Sequence, residues 1–408
     1  MRFSFIHAAD LHIDSPLAGL SLKDKAVAAR FAQAGRRAVE ALIEQTIASK
    51  ASFLIIAGDI FDGDWKDVST GLFFARALGA LDRAGIPVFL VKGNHDAASV
   101  MSRDLPYPGS VRVFSAGKAE TVALEPQRVA LHGRSFPHRL TADFVESYPP
   151  RRDGWLNIGV LHTSLDGTRS HDGYAPCSVE DLKRFGYDYW ALGHVHAAAV
   201  VCDDPWIVYP GNLQGRSVRE TGAKGAMRVT VEDGRIVEVT PLALDGARWA
   251  HVSVDVAGLS GEDEMLARSR AALAAAQAQS EGRPLAARLT LTGATSLHNQ
   301  LIARRETLQD DLRAIGFQLA ADCWVEQLKV KTSAPPRSLA AQAGADALDV
   351  DQLLRDAASD AEFAALLAEL TDTIKAKLPK DLHDELDRSE ALQRLADDAR
   401  ALLAGDAS

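Results

Sequence analysis

Five short motifs rich in Asp, His and Asn stand out in the first half of the sequence. In chain order they are Asp10-Leu11-His12, Gly58-Asp59-Ile60-Phe61-Asp62, Gly93-Asn94-His95-Asp96, His162 and Gly193-His194-Val195-His196. Oxygen and imidazole donors without a thiolate suit manganese, iron or zinc better than calcium or a structural zinc. The three cysteines lie far apart and lack CxxC spacing, which disfavours a thiolate site and a disulfide framework. The residue types therefore indicate a catalytic metal site.

Each motif lies just beyond a stretch whose apolar composition predicts a buried β-strand. These stretches are residues 3–6, 52–57, 85–91, 158–161 and 189–192. Open α/β sheets bind ligands at the carboxyl ends of their strands, so five strand ends can converge in one crevice. Taken singly, an Asp-x-His pair arises often by chance, the second motif fits an ordinary turn, and His162 fits a buried core histidine. The ordered occurrence of all five motifs favours the metal site.

The pattern of strands, helices and turn residues divides the chain into four segments. In order they are a β-rich α/β domain, a compact β-α-β-α-β unit, a linker and an acidic helical tail, at residues 1–245, 246–331, 332–347 and 348–408. Within the second segment the periodicity predicts helices over 261–279 and 296–315. The linker contains Pro335 and Pro336, and the tail has the apolar spacing of two or three amphipathic helices.

Composition and charge exclude several classes of protein. The 408 residues are 47% hydrophobic and 25% charged, which is typical of a soluble globular protein. The sequence has no run of 18 apolar residues and no signal peptide, so we expect a cytoplasmic location without membrane association. The net charge of −10 belongs mainly to residues 341–408, which carry 16 acidic and seven basic residues. The rest of the chain is nearly neutral, and phosphate binding there stays open.

The order DxH, GDxxD, GNHD, a single His and GHxH resembles the calcineurin-like metallophosphoesterase superfamily. Within it, the opening from His7 to Pro16 is similar to the YhaO group of DNA repair exonucleases, which are relatives of the SbcD nuclease. The segment from Tyr209 to Arg216, followed by Glu220 and Lys224-Gly225, carries the same likeness. This resemblance implies a four-layer α/β/β/α sandwich of two mixed sheets, with a small α+β capping domain and a helical C-terminal tail.

The resemblance also implies a role for each polar residue. One divalent metal would be held by Asp10, His12, Asp59 and His196, and the other by Asp59, Asn94, His162 and His194. A shared carboxylate is expected, because two cations about 3.5–4 Å apart need an anionic bridge between them. Manganese is the expected metal, with iron, zinc and magnesium as alternatives. A metal-bridging hydroxide would attack phosphorus, His95 would protonate the leaving oxygen, and Asp62 would orient His95.

The superfamily cleaves phosphomonoesters, cyclic nucleotides, phosphoproteins and DNA, and the metal ligands alone do not select among them. DNA is favoured by the capping unit and by basic residues near the motifs, which are Arg103, Arg134, Arg216, Arg219 and Lys224. Arg216 and Arg219 are the preferred phosphate contacts. Solvation, or pairing with Glu220, is the alternative for both arginines.

These observations predict a metal-dependent phosphoesterase hydrolase that acts on DNA as an exonuclease or endonuclease in repair or end processing. The alternatives are a small-molecule phosphodiesterase or phosphatase of the same superfamily, and a non-catalytic scaffold that binds DNA ends. The resemblance implies a coiled-coil ABC-type ATPase of the YhaN or SbcC kind as a partner and leaves a homodimer open. The tail would dock that partner or fold back on its own domain.

Overall fold

The computed structural model describes residues 1–15, 27, 31, 33–62, 68–98, 105–136, 144–165, 177–320, 323–335, 365–366, 368–369 and 372–373. Arg103, the predicted linker beyond Pro335 and nearly all of the predicted tail lie outside these residues. The chain divides into two compact units, Met1–Ala250 with Ser280–Ala286, and His251–Gln279 with Ala287–Ser408. None of the helices in the described ranges combines the length and the apolar composition that a membrane span requires.

The strands are β1 (Arg2–Ala8), β2 (Leu54–Ala57), β3 (Val88–Val91), β4 (Val111–Val113), β5 (Glu120–Leu124), β6 (Val129–Gly133), β7 (Leu156–His162), β8 (Tyr189–Gly193), β9 (Ala199–Asp203), β10 (Trp206–Tyr209), β11 (Gly225–Glu232), β12 (Arg235–Ala243), β13 (Arg248–Asp255), β14 (Leu285–Ala294) and β15 (Cys323–Ser333). The helices are α1 (Ala34–Ala48), α2 (Val68–Arg83), α3 (Asn94–Ala98), α4 (Val179–Arg184), α5 (Glu262–Gln279), α6 (His298–Ala303) and α7 (Arg305–Leu319).

Two six-stranded mixed sheets form the first unit. Their strand orders are β12-β11-β1-β2-β3-β4 and β5-β6-β7-β8-β10-β9. In the first sheet β1 to β4 are parallel, β11 pairs antiparallel with β1, and β12 pairs antiparallel with β11. In the second sheet β6, β7, β8 and β10 are parallel, and β5 and β9 form antiparallel edges. The strands that precede the five motifs therefore point their carboxyl ends in one direction within each sheet.

Alternation along the strands builds the layers, because successive side chains point to opposite faces of a sheet. Phe5 lies in the core between the two sheets, stacked on Phe53 at 4.8 Å between ring centroids. Its neighbour Ile6 faces the other way, into a core shared with α1 and α2. Trp190 of β8 packs with Leu182 of α4 on the outer face of the second sheet. The predicted four-layer α/β/β/α sandwich is confirmed.

The second unit contains α5, α6 and α7 with strands of the three-stranded sheet β13-β14-β15. The helix predicted over 296–315 is instead two helices, separated at Arg304, whose φ of −103° and ψ of 17° leave the helical region. The sequence of β9, Ala-Val-Val-Cys-Asp, does not alternate between apolar and polar residues, and its side chains are mostly exposed. The pattern that indicates a half-buried strand is therefore missing there.

Candidate metal centre

The predicted ligands lie at the carboxyl ends of strands from both sheets. Asp10 and His12 follow β1, Asp59 follows β2, and Asn94 begins α3 just after β3. From the other sheet, His162 ends β7, and His194 and His196 follow β8. A hydrogen bond joins the two sets across the sheets, since His162 Nδ1 donates to the carbonyl of Ala57 at the end of β2, at 2.9 Å. The crevice expected from strand ends is therefore present.

Two glycines allow the motif loops to approach each other closely. A Cβ atom on Gly93 would lie 2.1 Å from Asp59 Oδ1, and one on Gly193 would lie 1.9 Å from the carbonyl oxygen of Ala57. Both distances are far below van der Waals contact, and in both cases the neighbour is a backbone atom or a buried ligand. The glycines of GNHD and GHVH are therefore required by packing around the metal centre.

The first donor group consists of Asp10, His12 and His196, whose candidate ligand atoms lie within 4.8 Å of one another. Each imidazole donates Nδ1–H to a carboxylate, His12 to Asp62 at 2.6 Å and His196 to Glu220 at 2.7 Å. In the neutral tautomer both Nε2 atoms then carry lone pairs, and these face each other at 3.2 Å. Such a pair of acceptors is unfavourable unless a cation or a proton lies between them.

The second donor group consists of Asp59, His162 and His194, with Asn94 beside it. His162 Nε2 lies 3.2 Å from Asp59 Oδ2 and 3.0 Å from Asn94 Oδ1. Because Nδ1 donates to a carbonyl, Nε2 must face these oxygens either protonated or through a cation. Burial disfavours the charged ring, but the Asp59 and Asp10 carboxylates outweigh it and raise the pKa of His162 to about 9. The second donor group therefore favours a bound positive charge, either a proton or a metal cation.

Asp59 lies between the two groups. Its Oδ2 is 4.0 Å from His12 Nε2 in the first group and 3.2 Å from His162 Nε2 in the second. Its Oδ1 accepts the main-chain N–H of His95 at 3.0 Å, which fixes the carboxylate. Burial opposes ionisation of Asp59, but the nearby His162 prevails and lowers its pKa. A fixed anionic carboxylate facing both groups fits the bridging ligand of a dimetal centre.

The remaining predicted residues lie beside this centre. The ring of His95 is 5.2 Å from that of His12, and 44% of its side chain is exposed. Asp62 contacts His12 more closely than His95, whose Nδ1 is 3.7 Å from Asp62 Oδ1. The guanidinium of Arg216 also reaches Asp62, at 3.5 Å, and Arg219 is exposed.

The other two described basic residues that favoured DNA make hydrogen bonds within the protein. Arg134 is buried and donates to the carbonyls of Ala116 and Gly117 and to Ser147, so it has a structural role. Lys224 donates to the carbonyl oxygen of His196 at 2.9 Å.

Two carboxylates at the site received no role from the sequence. Asp96 is buried and accepts the main-chain N–H groups of Ile60, Phe61 and Gly93, so it ties two motif loops together. Burial and the Asp59 carboxylate raise the pKa of Asp96 to about 7. The only sequence feature that could have indicated Asp96 is its position as the last residue of the GNHD motif. Glu220, the other carboxylate, accepts a hydrogen bond from His196 Nδ1. The sequence indicated it only by its place in the segment that resembles the YhaO group and as a possible ion-pair partner of Arg216 and Arg219.

Comparison with known proteins agrees with the geometry. Residues 3–198 match the calcineurin-like phosphoesterase family, and residues 249–333 match the middle domain of the metallophosphoesterase YhaO. The uncharacterized metallophosphoesterase YhaO of Bacillus subtilis (strain 168) is 33% identical over 324 residues, which is 78% of each chain.

Two solved structures resemble the chain more distantly. The TT1561 protein of Thermus thermophilus has 11% identity and a TM-score of 0.35, and covers 59% of this chain and 99% of its own. A dimetal phosphatase from Danio rerio has 12% identity and a TM-score of 0.37, and covers 58% of this chain and 98% of its own.

The two-sheet sandwich and the paired donor groups define a metallophosphoesterase, a hydrolase of phosphate esters that uses a dimetal centre. The chain belongs to the calcineurin-like phosphoesterase family and, within it, to the YhaO metallophosphoesterases.

Proposed function

We propose that this metallophosphoesterase hydrolyses DNA phosphodiesters in DNA repair or end processing, with manganese as its metal. The observation that carries the proposal is the pair of donor groups facing a shared Asp59, with His95 and Arg216 beside them. When bound, two divalent cations activate water and offset the negative charge of a phosphate. Mixed oxygen and imidazole donors suit manganese, which supports the choice of metal.

The residues of the chain then divide the work of the reaction. The carboxylates and imidazoles of the two donor groups would hold the cations, which would supply positive charge for the phosphate. His95 is exposed beside the site, where its imidazole can give a proton to the leaving oxygen. Asp62 Oδ1 lies 3.7 Å from His95 Nδ1. The leaving group of a DNA phosphodiester is a sugar alkoxide, which needs such a proton.

Support for DNA as the substrate comes from basic side chains near the centre and from the resemblance to repair nucleases. The Arg216 guanidinium lies between Asp62 and Glu220 and is 25% exposed, and we propose that its exposed part meets a phosphate. Arg219 is exposed three residues further along. Arginine suits this role because its planar donors pair with two phosphate oxygens at once.

The test uses the purified full-length protein with end-labelled single- and double-stranded DNA, with manganese, magnesium or zinc, or with a chelator. Shortening of DNA from its ends in manganese, abolished by the chelator and by Asp59→Asn, is the expected result. Hydrolysis of bis(p-nitrophenyl) phosphate with intact DNA would identify a small-molecule phosphodiesterase instead. Binding of DNA ends with no hydrolysis of either substrate would identify a scaffold.

A further inference from the structure

The chain returns to the metal centre after β10 through residues 210–224, called here the return segment. The main-chain N–H of Asn212 donates to the carbonyl of His196 at 3.3 Å, and Lys224 Nζ donates to the same carbonyl at 2.9 Å. Two hydrogen bonds from the return segment therefore converge on one carbonyl of the GHVH loop. The return segment supplies no predicted metal ligand, so its contribution to the centre is indirect.

Glu220 is the carboxylate of the return segment that faces the first donor group. Its Oε1 accepts Nδ1–H of His196 at 2.7 Å. Its Oε2 accepts the main-chain N–H of Arg216 at 2.7 Å and the side-chain amide of Asn212 at 2.9 Å. Because three hydrogen-bond donors of the protein converge on it, the Glu220 carboxylate is held in one position without a contribution from a metal ion. It can therefore hold the imidazole of His196 in one orientation and one tautomer.

Asp62 makes the matching contact to the other histidine of the first group, since it accepts Nδ1–H of His12 at 2.6 Å. The guanidinium of Arg216 lies between the two carboxylates, with Nη1 3.5 Å from Asp62 and Nη2 3.6 Å from Glu220. This cation reduces the repulsion between two anions that share one small site. Both imidazoles of the first group are thus backed by carboxylates, and Arg216 links those carboxylates.

His162 of the second donor group has a different kind of partner. The outer nitrogen of His162 is held by the neutral main-chain carbonyl of Ala57, at 2.9 Å. A carboxylate partner raises the basicity of an imidazole ligand more than a carbonyl does, and outer partners of this kind are worth about 10–100-fold in metal affinity. Changes at Glu220 should therefore act on one of the two metals.

We propose that Glu220 is a positioning residue for the first metal site, where it sets the tautomer and orientation of His196 and thereby the occupancy of that site alone. The proposal rests on the dimetal centre of the proposed function and does not depend on the substrate being DNA.

The experiment titrates metal-free full-length protein with manganese chloride by isothermal titration calorimetry, and follows the bound ions by electron paramagnetic resonance. The variants are Glu220→Ala and the isosteric Glu220→Gln. Glu180→Gln is the control, because Glu180 is an exposed carboxylate paired with Lys183 on α4. The wild type and the control should bind two ions as an exchange-coupled pair. In Glu220→Ala one of the two affinities should fall about 10–100-fold, with signals of isolated manganese replacing the coupled signal.

Glu220→Gln should show a smaller loss at the same site, because its amide oxygen can still accept from Nδ1–H. It also preserves the side-chain volume and serves as the decisive variant if Glu220→Ala does not fold. Two unchanged affinities in Glu220→Gln and Glu220→Ala would overturn the role of Glu220 and leave the dimetal centre standing. Equal weakening of both ions, with a lower melting temperature of the metal-free protein, would overturn it in favour of a general structural role. A wild-type protein that binds no manganese would overturn the dimetal centre itself.

Discussion

Replacing His95 by alanine should remove most of the catalysis and leave both metals bound. The imidazole lies beside the donor groups, 5.2 Å from the ring of His12 between centroids and 3.7 Å from Asp62. This position suits proton transfer to a leaving oxygen. Loss of a positioned general acid slows a reaction about 10²–10⁴-fold, which corresponds to about 3–5 kcal/mol in the activation free energy.

The structure explains why the metals should stay. His95 donates its main-chain N–H to Asp59, the predicted bridging ligand, at 3.0 Å, and alanine keeps this group. The imidazole is 44% exposed, so its removal leaves no closed cavity. We therefore expect the free energy of unfolding to change by no more than about 0.5 kcal/mol, as for other surface substitutions. Catalysis and metal binding are separable at this position.

The assay combines metal content by mass spectrometry with hydrolysis of bis(p-nitrophenyl) phosphate in manganese. The p-nitrophenolate anion leaves readily without a proton, so the loss in kcat should be smaller with this substrate than with a DNA phosphodiester, to which the range of about 10²–10⁴-fold applies. His251→Ala, at an exposed position on β13, is the matched control and should keep full activity on both substrates. A metal-loaded His95→Ala protein that cleaves DNA at the full rate would refute the role of His95 in proton transfer. Loss of metal in that variant would show that the side chain acts in metal binding instead.

Three further outcomes follow from the same geometry. Gly93→Ala places a Cβ atom 2.1 Å from Asp59 Oδ1, so it should destabilise the fold by about 1–3 kcal/mol and lower the metal content of the protein. Gly109→Ala is the control, because Gly109 has open space around it, and it should change neither the thermal unfolding nor the metal content. Because the pKa of His162 in the metal-free protein is about 9, manganese binding at pH 7 should release about one proton and tighten as the pH rises towards 9. Equal calorimetric enthalpies in buffers of different ionisation enthalpy would contradict this. Arg219→Gln should raise KM for DNA and lower its salt dependence by about one phosphate contact, with hydrolysis of bis(p-nitrophenyl) phosphate unchanged.

The sequence predicts the convergence of the ligands because metal chemistry restricts residue types and the ends of buried strands restrict their positions. Asp10, Asp59 and His162 each lie at a strand end, and a buried strand such as β2 is a continuous apolar run that is easily recognised. Neither restriction depends on details of side-chain packing. The two sheets and the four layers, by contrast, were implied by the family resemblance.

Other features leave no such trace. The partner of His196 is Glu220, 24 residues further along the chain. Glu220 lies beyond β9 and β10, in the return segment, and nothing in the sequence spacing links the two residues. The break between α6 and α7 occurs at Arg304, where the sequence contains no glycine or proline that would predict it. These features depend on three-dimensional packing and on which carboxylate reaches which imidazole. They become visible only when the distances are known.

The backbone at the ligands shows why local propensity and chemistry disagree at this centre. Four non-glycine ligands adopt left-handed φ angles, 50° at Asp10, 40° at His12, 52° at Asp59 and 97° at His194. Each such residue costs of order 1–3 kcal/mol, and glycine would remove the strain together with the metal donor. The surrounding loops sustain the strain through hydrogen bonds, such as the one from the main-chain N–H of His194 to the Asp10 carboxylate at 3.0 Å. Glycine is used at the adjacent Gly58, where φ is 92° and no donor is needed. Left-handed φ angles also occur at five other described non-glycine residues, Asp14, Lys50, Arg128, Asp233 and Glu281, so such an angle alone does not indicate a metal site. At the four predicted ligands it coincides with a side chain that the proposed centre needs, and there the chain keeps the donor and bears the backbone strain.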